Sequence, residues 1–301
     1  MAYRQTKRKN NSAMSVVALL IMLAIAVVII ILTAVLMGGD ETSIPSVSLP
    51  SQSQGGDETS AGTDTSEPST STSTPDTSEP DTSEPEYTYT YVTDVSDYMW
   101  AIEPEDRDGF LILLNPDNTL PASYVPEDLV DVRFTRDDGR ATQMMVREAE
   151  AALFAFLTEA AACGYGDVSV TSAYRSYTYQ SQLFENKVSQ YIDRYPTREE
   201  AEEKAATIVA RPGTSEHQTG LAADMHNMAS AEQSFGETEA AKWLAANAYK
   251  FGFILRYEED KQDITKIIYE PWHFRYVGRY HATRIYESGM CFEEYLESID
   301  K

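Results

Sequence analysis

The sequence of 301 residues is poor in cysteine, with only Cys163 and Cys291. Two cysteines are too few for a disulfide-dense scaffold or for a zinc framework built from thiolates. Basic residues are also scarce: 24 lysines and arginines stand against 48 aspartates and glutamates, so the formal net charge is −24. A protein that holds nucleic acid needs clustered basic side chains to contact phosphates, and this composition argues against that class.

Two kinds of catalytic motif are absent too. The sequence contains no glycine-rich phosphate-binding loop and no Gly-x-Ser-x-Gly elbow. Nucleotide-phosphate binding and serine-nucleophile hydrolysis therefore have no support. Histidine occurs only four times, at positions 217, 226, 273 and 281.

The negative charge is divided unevenly along the chain. Residues 1–14 carry four basic and no acidic side chains, whereas residues 38–91 carry eleven acidic and no basic ones. Residues 92–301 hold the remaining 20 basic and 37 acidic side chains. This distribution predicts a basic N-terminus, an acidic linker and one folded domain over 92–301.

Residues 15–37 form an uncharged apolar run of 23 residues. As a helix this run would be roughly 35 Å long, enough to cross a hydrocarbon core of about 30 Å. A buried core helix of that length normally shows a polar face, and a cleaved signal peptide usually has a shorter apolar region. We therefore expect one transmembrane anchor, with residues 1–14 in the cytoplasm and the rest of the chain outside the cell membrane.

Residues 38–91 are rich in Ser, Thr, Pro, Asp and Glu, and DTSEP recurs at 64–68, 76–80 and 81–85. Such a segment buries too little apolar surface to offset its ordering entropy, so we expect a disordered linker. A domain held far from the membrane fits work on the cell wall. A spacer that only prevents steric interference is the alternative.

The composition becomes globular from residue 92. Patterning predicts strands at 110–114, 167–172, 221–224, 253–257, 264–269 and 272–277. It predicts helices at 143–162, 179–191, 197–209, 238–251 and 292–299. Because strands and helices do not alternate regularly, we expect an α+β domain with a small, mainly antiparallel sheet flanked by helices.

Two of the four histidines lie close in sequence to carboxylate residues that could complete a metal site. His217 is in a loop rich in turn residues, before a short predicted strand that ends at Asp224, and His273 is in another predicted strand. Two imidazoles and a carboxylate, with one position left to water, form a catalytic zinc arrangement. A kink at Pro271 would turn Glu270 toward the same centre, where it can take a proton from water. On spacing alone, ordinary surface or core roles for these residues stay open.

Three motifs together favour the catalytic interpretation. Residues 171–176 read TSAYRS, residues 215–224 fit SxHxxGxAxD, and residues 270–278 read EPWHFRYVG. In this order they resemble the VanY-type D-alanyl-D-alanine carboxypeptidases, which are zinc peptidases of the bacterial cell wall. Their superfamily includes VanX-type dipeptidases, L,D-carboxypeptidases and the Hedgehog signalling domain. The resemblance covers about residues 111–296 and implies a Hedgehog/DD-peptidase-like fold.

The resemblance implies a metal centre and a base. His217, Asp224 and His273 match the family's ligands for one zinc ion. Glu270 matches the general base that accepts a proton from water and passes it to the leaving nitrogen. The ligand and base positions show no departure from the family pattern, which argues against an inactive copy.

The resemblance also implies substrate contacts. Arg175 matches the arginine that stabilises the developing oxyanion and helps to orient the substrate. Gln180 and Ser215 fall where related enzymes contact substrate. His226 has no role in the family pattern, and Arg256 is either a substrate-carboxylate ligand or part of a structural ion pair.

The implied activity is removal of the C-terminal D-alanine from peptidoglycan stem peptides, in a Gram-positive-type wall. L,D-carboxypeptidases that act on stem tetrapeptides share the motifs, and an endopeptidase that cuts within the stem is a third alternative. A catalytically silent wall-binding or signalling module is a different class, which the intact Glu270 and ligand positions disfavour.

The two cysteines are placed for one cross-link. Cys163 ends a predicted helix and Cys291 begins the last one. Outside a cell a disulfide is permitted, and it would close a loop of about 128 residues. Two buried free thiols are the alternative, and the predicted location favours the disulfide.

Overall fold

The computed structural model describes residues 87–299. The strands are β1 Leu129–Asp131, β2 Met144–Val146, β3 Ser169–Ser172, β4 Ala222–His226, β5 Phe253–Leu255 and β6 His273–Tyr276. The α-helices are α1 Met99–Ile102, α2 Arg147–Ala160, α3 Tyr177–Tyr191, α4 Arg198–Ala206, α5 Glu239–Asn247, α6 Gln262–Thr265, α7 Arg279–Ser288 and α8 Phe292–Ile299. This confirms an α+β fold with small antiparallel sheets.

The central sheet has four antiparallel strands in the order β3-β4-β6-β5. A separate two-stranded ribbon pairs β1 with β2. Because side chains alternate along a strand, the central sheet has two faces of different composition. We call one the core face, which carries Val170, Ala223, Met225, Phe253, Phe274 and Tyr276. We call the other the site face, which carries Asp224, His273 and Arg275.

Helix α2 packs on the core face through Phe156, which is fully buried. The Phe156 ring stacks on Phe251 and Phe253 at centroid distances of 5.2 and 6.0 Å, and meets Phe274 edge-on at 6.2 Å. Burial of several large rings in one cluster supplies the main apolar stabilisation of the domain. The core thereby holds β4 and β6 in a fixed position under the site.

Several predicted elements are confirmed, and their ends follow from capping residues. Helix α3 begins after Ser176, whose hydroxyl accepts from the Tyr179 N–H at 3.2 Å. Helix α4 begins after Thr197, whose hydroxyl accepts from the Glu200 N–H at 3.1 Å. Such side-chain acceptors satisfy N–H groups that a helix cannot pair in its first turn.

The predicted strand at 110–114 is wrong. The segment follows a 3₁₀ turn at Asp108–Phe110, and its carbonyls accept hydrogen bonds from a side chain. Arg275 Nη2 lies 2.8 Å from the Phe110 carbonyl oxygen and 2.9 Å from that of Ile112. A buried guanidinium therefore takes the place of a partner strand, which the local apolar pattern does not reveal.

The predicted strand at 264–269 is also wrong. Helix α6 occupies its start, and Lys266 ends that helix in the left-handed conformation with φ 63°. The Ile268 N–H then donates to the Thr207 carbonyl at 2.9 Å, outside any strand ladder. Helix α7 and strand β1 have no counterpart among the predicted elements, and the helix predicted over 143–162 is wrong at its start, because Met144–Val146 form β2 and the helix begins at Arg147.

The predicted disulfide is not formed, since both cysteines are free. Cys163 is half-buried in a π-helical turn at the end of α2, which packs in the main core. Cys291 is buried before α8, whose Phe292 and Tyr295 pack in a separate cluster with Ile254 and Ile285. Cys163 thus adjoins the main core, whereas Cys291 adjoins the separate cluster.

Within residues 87–299, no helix combines the length and the apolar character needed to cross a bilayer. The predicted basic N-terminus, the predicted anchor at 15–37 and residues 38–86 of the predicted linker lie outside the described residues. Residues 87–91, also assigned to the linker, contact the domain. Tyr89 Oη lies 2.8 Å from Thr283 Oγ1, and the Tyr91 ring packs on Phe251 at 5.3 Å.

Candidate active site

The pairing of β4 with β6 creates the centre of the site. Asp224 and His273 are direct cross-strand partners, so their side chains leave the site face side by side. His273 Nδ1 lies 3.1 Å from Asp224 Oδ1. The partners Ala223 and Phe274 point to the core face, which fixes the register of both strands.

A short loop brings His217 to the same place. His217 lies in a 3₁₀ turn at Glu216–Thr219, and Gly220 follows in the left-handed conformation with φ 70°, which lets the chain enter β4. The backbone carbonyl of Ala173 lies 2.7 Å from His217 Nδ1. Because a carbonyl only accepts, Nδ1 carries the hydrogen and Nε2 presents its lone pair.

The three side chains offer ligand atoms at distances that suit one metal ion. His217 Nε2 lies 3.3 Å from Asp224 Oδ1, and all three ligand atoms lie within 4.8 Å of one another. Zinc bonds of about 2.0–2.1 Å in a tetrahedron put neighbouring ligand atoms about 3.4 Å apart. His217 Nε2 is buried without a hydrogen-bond partner among the described residues. An orphaned imidazole nitrogen beside a carboxylate and a second imidazole fits a zinc ion.

The charges of the cluster follow from burial and proximity. Burial and the nearby Arg175 lower the pKa of His217 to about 4, so this imidazole is neutral at neutral pH. Burial opposes protonation of His273, but hydrogen bonds to Asp224 and Glu216 raise its pKa to about 9. Burial also opposes ionisation of Asp224, yet His217 and His273 hold its pKa well below the usual range. The cluster therefore holds a carboxylate ready for a cation.

Glu270 stands at the edge of the cluster, as predicted from the position of Pro271. Strand β6 begins only at His273, and the turn before it places Glu270 Oε2 3.8 Å from His273 Nδ1. The side chain is 11% exposed. Burial raises the pKa of Glu270 to about 8, although His273 pulls the pKa in the other direction. A carboxyl group with such a pKa can both accept and return a proton near neutral pH.

These residues border a cleft of about 180 Å³. Arg175 lines it, with Nη2 3.8 Å from Asp224 Oδ2 and with a buried Nε that has no hydrogen-bond partner among residues 87–299. Ser215 lines it too, while Ile208, Val209 and Ile267 make the apolar wall. The cleft is therefore small and is lined by both charged and apolar side chains.

Gln180 is not among the residues that line the cleft. Its Nε2 donates to the Ala210 carbonyl at 2.7 Å, so it anchors the loop whose Ala210 forms part of the cleft wall. His226 lies outside the metal-ligand group. Its Nε2 is 3.2 Å from Thr171 Oγ1 and its Nδ1 is 3.3 Å from Arg136 Nη2, which agrees with a peripheral place.

Arg256 forms the structural ion pair that was one of its two alternatives. Its Nε lies 2.8 Å from Glu216 Oε1, and its Nη2 lies 2.6 Å from Glu293 Oε1. Arg275 Nη1 lies 3.0 Å from the same Glu216 oxygen. Sequence reasoning gave Glu216 no role. The signal was the presence of Arg256 and Arg275 in otherwise apolar strand segments, because buried guanidinium groups require buried acids.

Tyr257 lines the cleft and is a second residue that the sequence motifs did not identify. Its ring packs against His273 at a centroid distance of 4.8 Å, and its carbonyl accepts from the Glu270 N–H at 3.1 Å. It thereby contacts both the candidate ligand and the backbone of the candidate base. The local sequence pattern does not distinguish an aromatic residue that lines the cleft from any other aromatic residue at the end of a predicted strand.

Comparisons with known proteins agree with this geometry. Residues 142–279 match the family model for VanY, D-alanyl-D-alanine carboxypeptidase. The D-alanyl-D-alanine carboxypeptidase of Enterococcus faecalis is 40% identical over 195 residues, which cover 64% of this chain and 68% of that protein.

Solved structures extend the likeness to the fold. The LdcB LD-carboxypeptidase matches with a TM-score of 0.57 and 40% identity, over 64% of this chain and 88% of its own. A VanY D,D-pentapeptidase mutant from a VanB-type resistance cassette, in complex with Zn(II), matches with a TM-score of 0.53 and 39% identity, over 62% and 98%. VanYB in complex with D-alanine-D-alanine matches with a TM-score of 0.53 and 41% identity, over 62% and 97%.

The motifs, the antiparallel fold and the relatives all agree, and the matched region contains Arg175, His217, Asp224, Glu270 and His273. The chain belongs to the VanY D-alanyl-D-alanine carboxypeptidase family and is a peptidase.

Proposed function

We propose that this chain is a zinc-dependent D-alanyl-D-alanine carboxypeptidase that removes the C-terminal D-alanine from peptidoglycan stem peptides. The observation that carries the proposal is the convergence of His217, Asp224 and His273 beside Glu270 at the end of a small cleft. His217 Nε2, Asp224 and His273 Nδ1 would hold one zinc ion. When bound, zinc would polarise the scissile carbonyl and make water more acidic.

Glu270 is proposed as the proton carrier. It accepts a proton from the attacking water, whose oxygen forms a bond to the carbonyl carbon of the penultimate residue. Glu270 then passes that proton to the nitrogen of the leaving D-alanine as the C–N bond breaks. Its pKa of about 8 suits both transfers, because neither protonation state is strongly disfavoured near neutral pH.

Arg175 is proposed to bind the substrate and to stabilise the oxyanion. Its Nε hydrogen is buried and has no hydrogen-bond partner among the described residues, so a donor is available without breaking an existing bond. Preorganised donors of this kind act strongly where water is excluded. Ser215 lines the cleft and is a proposed substrate contact, whereas Gln180 would act through the loop it anchors.

An L,D-carboxypeptidase acting on stem tetrapeptides is the second candidate. The observation that favours it is the likeness to the LdcB LD-carboxypeptidase, at 40% identity and a TM-score of 0.57. Both activities use the same ligands and base, and they differ in the residue that precedes the scissile bond.

We also propose the setting of the enzyme. The apolar run at 15–37 would anchor the chain in the cell membrane, with residues 1–14 in the cytoplasm. Residues 38–86 would hold the catalytic domain away from the membrane and within reach of the wall. Protease digestion of intact cells tests this orientation, because a domain that resists digestion until the cells are opened would contradict it.

The test of the activity uses the full chain with added zinc and two synthetic substrates, a stem pentapeptide that ends in D-Ala-D-Ala and the matching tetrapeptide. Released D-alanine is measured by mass spectrometry. We expect release from the pentapeptide, whereas release from the tetrapeptide alone would favour the L,D activity. No release from either peptide would contradict both candidates and favour a binding module.

Two histidine variants provide a matched control. His217→Ala removes a proposed ligand and is expected to abolish release and zinc binding. His226→Ala removes a histidine outside the cluster and is expected to keep both. Equal activity in the two variants would contradict the assignment of the ligands.

A further inference from the structure

We propose that Glu216 is a positioning residue that determines which ring nitrogen His273 turns toward the cleft. This inference rests on the proposed metal site and adds a residue to which no function has been given. Glu216 Oε2 lies 3.4 Å from His273 Nε2, and the Glu216 side chain is fully buried. Glu216 immediately precedes the candidate ligand His217, yet it contacts the other candidate histidine.

The two histidines are held through opposite nitrogens. A carboxylate or carbonyl oxygen accepts only, so each requires the hydrogen on the nitrogen that faces it. The Ala173 carbonyl faces His217 Nδ1, which leaves Nε2 for the cleft. Glu216 faces His273 Nε2 and keeps a hydrogen on that nitrogen, so Nδ1, 3.1 Å from Asp224 Oδ1, is the nitrogen that would bind a metal once its own proton is displaced. With both assignments, His217 Nε2, His273 Nδ1 and the Asp224 carboxylate can face one metal ion, since the three ligand atoms lie within 4.8 Å of one another.

Two buried arginines keep Glu216 in place as a carboxylate. Arg256 Nε and Arg275 Nη1 contact Glu216 Oε1 at 2.8 and 3.0 Å, which leaves Oε2 for His273. An unpaired carboxylate in this position would be strongly disfavoured, whereas paired charges with satisfied hydrogen bonds are tolerated. Arg256 is in turn held by Glu293 of α8, at 2.9 and 2.6 Å.

This arrangement predicts a specific effect on metal binding. Groups that orient a metal-binding histidine typically change metal affinity by about 10- to 100-fold when they are altered. In Glu216→Gln the carboxylate is replaced by an amide that can present either a donor or an acceptor to His273. We therefore expect the zinc affinity of the full chain to fall by about 10- to 100-fold, as measured by competition with a chelating dye.

Glu293→Gln is the control for a loss of stability alone. It disturbs the same buried ion cluster but leaves Glu216 beside His273. We expect it to lower the thermal midpoint while the zinc affinity stays within about threefold of the original. Glu297→Gln, an exposed change on the same helix, is expected to alter neither quantity. Similar losses of zinc affinity in Glu216→Gln and Glu293→Gln would overturn the positioning role and leave a structural one.

Glu216→Asp covers the case in which the amide variant does not fold. It keeps the negative charge between the arginines but is one methylene too short to keep the same contact with His273. We expect it to fold and to lose zinc affinity at least fivefold. Wild-type affinity in Glu216→Asp, or in folded Glu216→Gln, would overturn the inference. If the unaltered chain bound no zinc at all, the proposed metal site itself would fail.

Discussion

The two faces of the central sheet bury side chains of opposite character. The core face packs Phe274 against Phe156 of α2, and the site face places His273 beside the carboxylates of Asp224 and Glu216. Apolar burial stabilises a fold by roughly 25 cal/mol per Å². Buried charges are tolerated only when partners satisfy them. Because side chains alternate along β4 and β6, the residues that stabilise the core and the residues of the candidate site lie on opposite faces of the same strands.

The largest expected effect is a loss of catalytic activity without a loss of stability. Glu270→Gln removes the proposed proton acceptor and is expected to lower kcat by about 10²–10⁴-fold, because general acid–base catalysis contributes that much. Stability is not expected to fall, since burial already disfavours the charged form of this side chain. D-alanine release and thermal unfolding measure the two quantities. A variant with full activity would remove Glu270 from the mechanism.

A change on the core face is expected to have the opposite effect, because it lowers stability and leaves the zinc affinity unchanged. Phe156→Ala deletes a fully buried ring and is expected to cost about 3–5 kcal/mol of unfolding free energy, through lost burial and a cavity. Zinc affinity at temperatures where the chain stays folded is expected to be unchanged. Urea unfolding and dye competition measure these quantities. Parallel loss of zinc affinity in the folded state would show that the two faces are coupled.

Within the site, a change at Arg175 distinguishes the proposed substrate contact from the proposed zinc ligands. Arg175→Met removes the proposed oxyanion donors and is expected to lower kcat by about 10²–10³-fold. Because Arg175 is not a proposed ligand, zinc affinity is not expected to weaken. Its charge even opposes a positive charge at His217. Steady-state kinetics and zinc titration together distinguish a substrate-binding role from a metal-binding one.

The smallest effect concerns a helix that belongs to neither face. Thr197→Ala removes the hydroxyl that caps α4 and is expected to cost about 1 kcal/mol of stability. Activity at 25 °C is expected to be unchanged, since Thr197 does not line the cleft. Thr197→Ser restores the acceptor and serves as the matched control. Equal stability of the Ala and Ser variants would contradict the capping role.

Much of the fold follows from local patterns in the sequence. The predicted helices at 179–191 and 197–209 correspond to α3 and α4, and the predicted strands at 167–172, 221–224 and 272–277 correspond to β3, β4 and β6. One failure has a long-range cause and the other a local backbone conformation. Segment 110–114 is held by Arg275, which is more than 160 residues away, and the left-handed Lys266 interrupts segment 264–269. A local apolar pattern in the sequence identifies neither the Arg275 contact nor the conformation of Lys266.

In the candidate site, too, some residues follow from the sequence and others depend on long-range packing. The motif residues His217, Asp224 and His273 are predicted as a group, and the structure brings them together. Their supporting residues are not predicted, because the contact between Glu216 and His273 spans 57 positions and depends on how the loop folds. Arg256 illustrates the limit, since both of its predicted alternatives were chemically sound and only packing decides between them.

We propose that the site face holds one zinc ion and that the activity depends on this ion. The direct measurement removes metal from the full chain with a chelator, adds zinc back in known amounts, and follows D-alanine release and bound zinc together. We predict that activity is lost on removal and returns in proportion to bound zinc, with a plateau at one ion per chain. Full activity in the metal-free chain, or a plateau unrelated to bound zinc, would contradict the account.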